Sequence, residues 1–260
     1  MEELSARNDM KVLMRKLRVA LTPRGWLLKT RLSNGALVYG INRAGYGSRG
    51  IYIFRESIEP ELQHLQELLD PSGVFVDVGA NTGIYTLKAA KYLSQGGGVV
   101  VAIEPFPDVF ATLFHSVRAN RFTNVRLRSL CIGEVTGSAE LWMNFIKPNS
   151  FGLIKRDERA SCISTLTVAL DDLFRWERME RLDYLKVDAE GSERQVLAGA
   201  KRTIEKHRPI VQAEVSISDI TVDLPGYRAF RAPGSPNKVY IPNDHPKSEV
   251  PGHLGWAQES

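Results

Sequence analysis

The run from Val74 to Gly83, VFVDVGANTG, restricts the fold of this chain more than any other segment. Its first five residues are almost wholly apolar, which is typical of a strand buried on both faces of a parallel sheet. The glycine-containing turn that follows leads directly into a helical pattern at 84–93. A strand, a tight turn and a helix in this order predict the first unit of an alternating β/α fold.

The same alternation continues along the chain. Further buried strands are predicted at 99–103, 125–130, 184–188 and 210–215, and helices at 108–120 and 192–206. Such strands are joined by right-handed crossovers, so the sequence predicts a doubly wound, mostly parallel α/β sheet with helices on both faces. Two short strands at 227–230 and 239–241 flank a turn-rich link and predict a C-terminal hairpin. Residues 144–162 show no clear period and are predicted to form a loop.

We predict a small N-terminal accessory region over 1–70 and a main domain over 71–260. Met10, Leu13, Leu17 and Leu21 recur at helical spacing among Lys and Arg, which predicts a basic amphipathic helix over the first 22 residues. We expect this helix to pack against its own domain, and contact with an anionic membrane surface or a partner is the alternative. Alternating apolar residues within 36–58 predict a small β element, and Pro60 opens a helix through Leu69.

The positive charge of the chain is concentrated near its start. The net charge is +4, whereas residues 1–31 hold eight basic and three acidic side chains and carry +5. The remainder, at −1, lacks the broad basic face that a general nucleic-acid cradle requires. We therefore expect a small-molecule or saccharide partner rather than nucleic acid.

Cysteine content and hydropathy bear on the compartment. Cys131 and Cys162 are too few for a disulfide framework and have no CxxC spacing, which is typical of a reducing compartment. Arg15, Lys16 and Arg18 interrupt the first apolar run before it reaches signal-peptide length, and no stretch of about 18 apolar residues occurs. These patterns predict a cytoplasmic protein without a transmembrane segment.

Polar signals stand at the ends of the first two core strands, where ligands lie in an open parallel sheet. The first is the turn with Asp77, Gly79, Asn81 and Gly83, whose glycines permit a close backbone approach. The second is Glu104, a carboxylate placed to accept the hydroxyls of a ribose.

The spacing of the turn favours one adenosine cofactor over another. Its glycines follow G-x-x-x-G and not G-x-G-x-x-G, and Asp77 would repel a pyrophosphate but attract an ammonium group. S-adenosyl-L-methionine, whose product is S-adenosyl-L-homocysteine, carries positive charge and no phosphate. The sequence therefore favours this cofactor, and a dinucleotide oxidoreductase is a weaker alternative.

Three motifs together resemble the FkbM family of S-adenosylmethionine-dependent methyltransferases. They are VDVGANTG, the IEP that contains Glu104 and Pro105, and KVDAEGSE at 186–193. The resemblance covers roughly residues 50–215, including TLTVALDDLF at 165–174. It implies a class I methyltransferase fold, which is Rossmann-like and has a seven-stranded sheet with a reversed last strand. It also implies O-methylation of a sugar, glycan or polyketide-like metabolite. The chain departs from the family pattern at Ala189 and in Gln212-Ala213-Glu214-Val215.

Methyl transfer to an alcohol requires alignment of the acceptor oxygen and removal of its proton. Asp188 is the first candidate for the carboxylate near the methyl group, and Glu190 for shaping the acceptor side. Lys186 and Glu214, on the fourth and fifth core strands, complete the catalytic set. Three of these four residues have a structural alternative: Asp188 as a helix cap, Lys186 in a structural ion pair, and Glu214 on a loop surface.

Two further assignments concern the edge of the site. Cys131 follows the third strand and is predicted to border the adenine pocket, with an ordinary core position as the alternative. Asp188, Glu190 and Glu214 offer oxygen ligands for Mg²⁺, but no imidazole accompanies them, so we assign no metal ligand.

Besides the dinucleotide oxidoreductase, three rival functions have distinct signatures. An RNA ribose 2′-O-methyltransferase predicts a salt-sensitive RNA complex. A nucleobase N-methyltransferase is disfavoured because no Asn or Asp followed by Pro-Pro and an aromatic residue occurs after the fourth strand. A non-catalytic cofactor-binding module predicts binding without methyl transfer.

Overall fold

The fold is described from a computed structural model. The described residues are 2–44, 47–143, 151–153, 155, 158, 160–214 and 224–259. The α-helices in these ranges are α1 (Glu2–Leu21), α2 (Ser48–Phe54), α3 (Leu65–Leu68), α4 (Ile84–Leu93), α5 (Pro107–Ala119), α6 (Leu170–Trp176), α7 (Glu193–Gly199), α8 (Lys201–His207) and α9 (Val250–His253). Two 3-10 segments, Arg55–Ile58 and Pro60–His64, connect α2 to α3.

The strands in the described ranges form three sheets. They are β1 (Leu27–Arg31), β2 (Leu37–Ile41), β3 (Val74–Val78), β4 (Val99–Ile103), β5 (Val125–Arg128), β6 (Cys131–Gly133), β7 (Gly137–Met143), β8 (Phe151–Gly152), β9 (Ser161–Ala169), β10 (Tyr184–Val187), β11 (Ile210–Glu214), β12 (Tyr227–Arg231), β13 (Asn237–Pro242) and β14 (Ala257–Glu259).

The main sheet contains eight strands in the order β14-β12-β13-β11-β10-β3-β4-β5. Strands β3, β4, β5, β10 and β11 are parallel, whereas β13 runs antiparallel to both β11 and β12. The doubly wound α/β prediction is therefore confirmed, and so are the reversed seventh strand and the C-terminal hairpin. The chain adds an eighth strand, because β14 pairs antiparallel with the exposed side of β12.

Alternate residues of the central strands point to opposite faces of the sheet and pack into two core layers. Phe75 and Tyr184 stack at 5.1 Å between ring centroids in one layer, with α4, α5 and the N-terminal elements. Val76 and Leu185 lie in the other layer, with α6, α7 and α8. This two-sided burial explains why these strands are continuous apolar runs.

The N-terminal elements share the first core layer with the sheet. Leu32, Val38, Ile51 and Leu62 are buried in the same cluster as Phe75. The predicted helix over the first 22 residues is confirmed as α1. None of the helices in the described ranges combines the length and apolar character needed to span a bilayer.

Several local predictions are corrected by packing. Ile51 lies in α2 rather than in a strand, and the helix predicted from Pro60 to Leu69 is divided into a 3-10 segment and α3. Leu62 in the 3-10 segment and Leu65 and Leu68 in α3 are all buried, so both parts pack on the core. The predicted helix 192–206 is divided between α7 and α8, where Gly199 packs against the backbone of residues 133–134.

A second sheet, in the order β6-β9-β7-β8, was missed by the sequence analysis. Its longest strand, β9, is mostly exposed and rich in Ser and Thr, so its pattern lacks a clear apolar period. The loop prediction for 144–162 is wrong at 151–152 and 161–162, which lie in β8 and β9. Residues 144–150 of that prediction lie outside the described residues.

Candidate active site

The turns after three adjacent strands meet at one edge of the main sheet. In the register of β3, Val78 pairs with Ile103 of β4 and with Val187 of β10. The backbone N–H of Gly79 donates to the Ile103 carbonyl at 3.0 Å, and that of Asp188 donates to the Val78 carbonyl at 3.0 Å. The three turns are therefore held together through their backbones.

These turns border a cleft that encloses about 720 Å³ of space, part of it open to solvent. The predicted site residues that line it are Gly79, Asn81, Glu104, Pro105, Cys131, Asp188 and Glu190. The apolar part of its wall comes from Val109, Leu130, Ile132, Leu141 and Leu153. The cleft thus combines carboxylates with an apolar surface suited to an aromatic ring.

The turn after β3 is built from left-handed backbone conformations. Gly79, Asn81 and Gly83 have φ angles of 74°, 51° and 89°. The Asn81 backbone N–H donates to Glu104 at 2.9 Å, while the Asn81 side-chain oxygen accepts from the Thr82 N–H at 2.7 Å. Gly83 forms the N-cap of α4 and does not line the cleft.

Glu104 is a buried carboxylate at the end of β4, with 7% of its surface exposed. Its two oxygens accept the backbone N–H groups of Asn81 and Phe106, each at 2.9 Å. Burial raises the pKa of Glu104 to about 7, although these two hydrogen bonds oppose the shift. Each carboxylate oxygen has a second lone pair, so the group retains acceptor capacity for two hydroxyls.

Lys186 connects two carboxylates beside the cleft. Its Nζ lies 3.1 Å from Asp188 Oδ2 and 3.9 Å from Asp77 Oδ1, and the lysine side chain is 4% exposed. Burial lowers the pKa of Lys186, but the carboxylates of Asp188, Asp77 and Glu59 outweigh this effect and raise it above its ordinary value. Lys186 is therefore a buried cation.

Asp77 is placed differently from the sequence prediction. It is fully buried and does not line the cleft. Its Oδ2 accepts the Thr86 hydroxyl at 2.6 Å. Burial raises its pKa, while Lys186 opposes the shift. The direct contact that we predicted with a cofactor ammonium is replaced in this geometry by an ion pair, so Asp77 influences the cleft through Lys186.

A polar network adjoins Lys186 on the side of β11 and β13. The Tyr85 hydroxyl donates to Glu59 at 2.6 Å, and its ring lies 4.8 Å from Lys186 Nζ. Gln212 donates to Glu61 at 3.1 Å, and Asn237 donates to Glu61 as well. Burial raises the pKa of Glu59 to about 7, against the effect of Lys186.

This network was not predicted as part of the site. Gln212 was a visible signal, because a polar side chain in the apolar run of β11 requires a buried partner. The partners Glu59, Glu61 and Asn237 gave no signal, since they are distant from Gln212 in sequence.

The turn after β10 carries the remaining carboxylates. Glu190 lines the cleft in a left-handed conformation with φ 52°. Glu193 accepts the backbone N–H groups of Ala189 at 2.9 Å and Gly191 at 3.1 Å, and so holds the turn. The N-cap residue of α7 is Ser192, which makes no side-chain capping hydrogen bond, so the helix-capping alternative for Asp188 is not found.

Glu214 ends β11 near this turn. Among the described residues, carboxyl oxygens of Asp188, Glu193 and Glu214 lie within 4.8 Å of one another. We had considered Asp188, Glu190 and Glu214 as a cluster of Mg²⁺ ligands. In the structure, Glu193 takes the place of Glu190 in this cluster. Because two N–H groups already bind the Glu193 carboxylate, we assign no metal ligand.

Cys131 lies at the start of β6 and is 3% exposed. Burial, with a contribution from the charge of Glu104, raises the pKa of its thiol to about 12. The thiol is therefore a small apolar group in the wall of the cleft, and its place beside an adenine stays a prediction.

The order β5-β4-β3-β10-β11-β13-β12, its single reversed strand and the cleft at the carboxyl ends are those of a class I methyltransferase. The family model described as the methyltransferase FkbM domain matches residues 77–225. The chain belongs to the FkbM methyltransferase family.

Two curated relatives show the range of named activities around this chain. It is 28% identical over 202 residues to the 31-O-demethyl-FK506 methyltransferase FkbM of Streptomyces tacrolimicus, covering 66% of this chain and 75% of the relative. It is 28% identical over 138 residues to the ribosomal RNA large subunit methyltransferase E of Acidithiobacillus ferrooxidans, covering 52% of this chain and 58% of the relative.

Solved structures show more distant likenesses. A methyltransferase FkbM from Methylobacillus flagellatus KT is 21% identical with a TM-score of 0.48, and the match covers 75% of this chain. The chain spans 53% of the length of that protein. A tRNA (uracil-54, C5)-methyltransferase from Pyrococcus abyssi, crystallised with S-adenosyl-L-homocysteine, is 11% identical with a TM-score of 0.42 and covers 82% of this chain and 43% of its own.

Proposed function

We propose that this protein is an S-adenosylmethionine-dependent O-methyltransferase that methylates a hydroxyl of a sugar, glycan or polyketide-like metabolite. The observation that carries the proposal is the position of Glu104 and Asp188 in one cleft, at the ends of neighbouring parallel strands. The Glu104 carboxylate suits the hydroxyls of a ribose. The Asp188 carboxylate suits a positively charged centre and an acceptor hydroxyl. The curated relative from Streptomyces, whose name specifies an oxygen of FK506, supports an alcohol acceptor.

The residues of the cleft fit this cofactor. Glu104 retains lone pairs for the ribose hydroxyls, and Gly79 and Asn81 allow a close approach at the start of α4. Pro105 and Cys131 extend the wall on the side of Glu104. Glu104, Asp188 and Glu190 give the lining an acidic character that repels a pyrophosphate and attracts a cation. The cofactor supplies a methyl group on a sulfonium, from which an oxygen nucleophile can take it.

We assign the proton transfer to Asp188. Its carboxylate lines the cleft and lies 3.1 Å from Lys186 Nζ, which holds it in place. An ionised carboxylate can accept the proton of an acceptor hydroxyl as the oxygen attacks. Glu190 would orient the acceptor, and Glu214 would border the same side. Lys186 acts through Asp188 as a positioning residue.

Calorimetry with S-adenosylmethionine tests the cofactor assignment. We expect saturable binding that weakens about 10- to 100-fold in Glu104→Ala, since charged hydrogen bonds to two hydroxyls are lost. Glu205→Ala, which removes an exposed carboxylate on α8, is the matched control and should bind normally. Absence of binding by the intact protein, or equal effects of both variants, would contradict the proposal.

The acceptor is tested with a methyl-transfer screen over sugars, glycosides and macrolide alcohols. The second candidate acceptor is an RNA ribose hydroxyl, and the name of the curated relative from Acidithiobacillus specifies ribosomal RNA. Transfer to RNA in place of the alcohols would establish that alternative. Binding without transfer to any acceptor would establish a non-catalytic module.

We also place the protein in the cytoplasm. Cys131 is buried and Cys162 exposed, and both are free thiols. Free thiols fit a reducing compartment.

A further inference from the structure

Helix α1 presents an apolar stripe to solvent. The exposed fractions of its side chains are 60% for Met10, 50% for Leu13, 50% for Met14, 49% for Leu17 and 83% for Leu21. Their spacing of three and four residues places them on one side of the helix. Burial of this stripe on its own domain, which we expected from the sequence, is therefore not found in the structure.

The opposite side of α1 holds the helix on the protein. Val12, Arg15 and Val19 are partly buried, and Arg15 Nη1 donates to the Ile53 carbonyl of α2 at 2.8 Å. At 100° per residue, this inward side lies about half a turn from the apolar stripe. The orientation of α1 is thus fixed by its own contacts, which leaves the stripe facing outward.

Basic side chains flank the stripe on both sides. The helical repeat places Lys11 and Arg18 along one flank and Lys16 along the other. Lysine and arginine in such positions can extend their charged ends toward phosphates while their stems remain on apolar material. This is the distribution found in helices that lie in the interface of a membrane.

The cationic surface continues beyond the helix. A hollow between α1 and the β1–β2 hairpin is lined by Arg15, Arg18, Lys29, Arg31 and Arg55, together with Thr30, Leu37 and Tyr52. An adjoining hollow shares three of these arginines. No carboxylate lines either hollow within the described ranges. Burial and the charge of Arg55 lower the pKa of Arg15, although the charges of Tyr52 and Glu56 oppose the shift.

An exposed aromatic residue follows the helix. Trp26 is 65% exposed and the adjacent Leu27 is 54% exposed. Tryptophan is enriched at the level of lipid headgroups, where one part of the ring is in apolar surroundings and the other in water.

The charges discriminate between possible occupants of this surface. A second copy of α1 would bring two sets of basic side chains together, which disfavours self-association. RNA would match the charge but would leave the apolar stripe in water. An anionic bilayer satisfies both features, because its phosphates bind the cations and its acyl region takes up the stripe.

We propose that α1, with Trp26 and the adjoining cationic hollows, is a docking surface for a bilayer that contains anionic phospholipid. The helix lies parallel to the membrane plane, and its stripe enters the boundary between headgroups and acyl chains. This proposal does not depend on the identity of the methyl acceptor.

Cosedimentation of the full chain with vesicles tests the proposal. We expect weak partitioning onto phosphatidylcholine alone and strong partitioning onto two parts phosphatidylcholine to one part phosphatidylglycerol. Raising the salt concentration should weaken the latter, because exposed charges are screened. Equal partitioning onto the two compositions, or none, would overturn the proposal.

Two pairs of variants separate the apolar and the charged contributions. Leu13→Glu/Leu17→Glu should abolish binding, whereas Ile163→Glu/Leu166→Glu, which changes two exposed residues on β9, should not. Lys11→Gln/Lys16→Gln should weaken binding by about fivefold per charge removed, and Lys201→Gln/Lys206→Gln on α8 should not. Thermal melts check that each variant folds. If a double variant in α1 and its control changed vesicle binding equally, a role for α1 would be contradicted.

Two further measurements address the alternative occupants. Vesicle addition should shift tryptophan emission to shorter wavelength, and Trp26→Phe should remove most of the shift while sedimentation persists. RNA binding that is lost in Lys11→Gln/Lys16→Gln, without vesicle binding by the intact protein, would overturn the proposal in favour of RNA. Conversion of a dimer into a monomer by Leu13→Glu/Leu17→Glu, again without vesicle binding, would overturn it in favour of self-association.

Discussion

A Cβ atom on Gly79 would overlap the backbone carbonyl oxygen of Asp188. The turn that faces the proposed cofactor and the turn that carries the proposed base therefore pack backbone against backbone. This approach explains why position 79 is a glycine, beyond its φ angle of 74°. It also fixes the separation between the two halves of the cleft.

Gly79→Ala tests this contact, with Gly97→Ala as a matched control. Gly97 has a similar φ of 80°, but a Cβ atom there would meet nothing within 4 Å. We expect Gly97→Ala to lower the free energy of unfolding by about 1–2 kcal/mol through backbone strain. Gly79→Ala should cost about 1–3 kcal/mol more, because backbone must move. Urea unfolding measures both, and equal losses would contradict the steric account.

Lys186→Met should destabilise the protein by roughly 3–5 kcal/mol, because the buried Asp77 loses its ion-pair partner. Without Lys186, the folded-state pKa of Asp77 rises further above its unfolded value. Its ionisation then opposes folding, so the loss should be larger at pH 8 than at pH 5. Urea unfolding at the two pH values measures this.

Addition of Asp77→Asn to Lys186→Met should restore much of the lost stability. Lys201→Met, at an exposed lysine on α8, should have little effect. A double variant no more stable than Lys186→Met would show that the lysine acts mainly through other contacts.

Affinity for S-adenosylmethionine should depend on pH through Glu104. Its pKa of about 7 in the free protein means that the carboxyl is largely protonated below that pH. Ribose hydroxyls donate best to the ionised form, so affinity should fall by up to about tenfold per pH unit below 7 and level off above it. Calorimetry across this range measures the effect.

Two variants identify the group responsible for this pH dependence. Glu104→Gln should bind weakly with little pH dependence between pH 5 and 8. Glu59→Gln removes another carboxyl with a pKa of about 7 and should retain the slope. If the pH dependence of affinity were lost in Glu59→Gln and kept in Glu104→Gln, the titrating group would be Glu59 and not Glu104.

The raised pKa of Glu59 also predicts how stability varies with pH. Between the unfolded value near 4.5 and the folded value of about 7, the folded protein binds more protons than the unfolded chain. The contribution of Glu59 to stability is therefore present below this window and is lost as the pH rises through it. Glu59→Gln should reduce that decline by on the order of 1 kcal/mol, measured by urea unfolding at pH 5 and 8. An unchanged decline would exclude Glu59 as its source.

Asp188→Asn should lower the rate of methyl transfer by about 10²- to 10⁴-fold, the usual contribution of a general base. Cofactor binding should change much less, since Glu104 remains. Single-turnover rates and calorimetry separate the two effects, and Asp244→Asn at the surface is the control. A parallel loss of binding and rate would indicate a role for Asp188 in holding the cofactor alone.

The sequence by itself determined the strand, turn and helix units and the polar ends of β3, β4 and β10. Strands buried on both faces must be continuous apolar runs, and the carboxyl ends of parallel strands share one edge. Glu104 and Asp188 were therefore predictable as neighbours.

Only the tertiary structure decided the burial of Asp77, the β6–β9 sheet, the added strand β14 and the exposed stripe of α1. It also brought Glu61 to Asn237, 176 residues apart in the chain. Local periodicity shows that a face is apolar or polar, but it does not specify which distant element covers that face. Packing between elements determines that choice, and with it the partners of every buried charge.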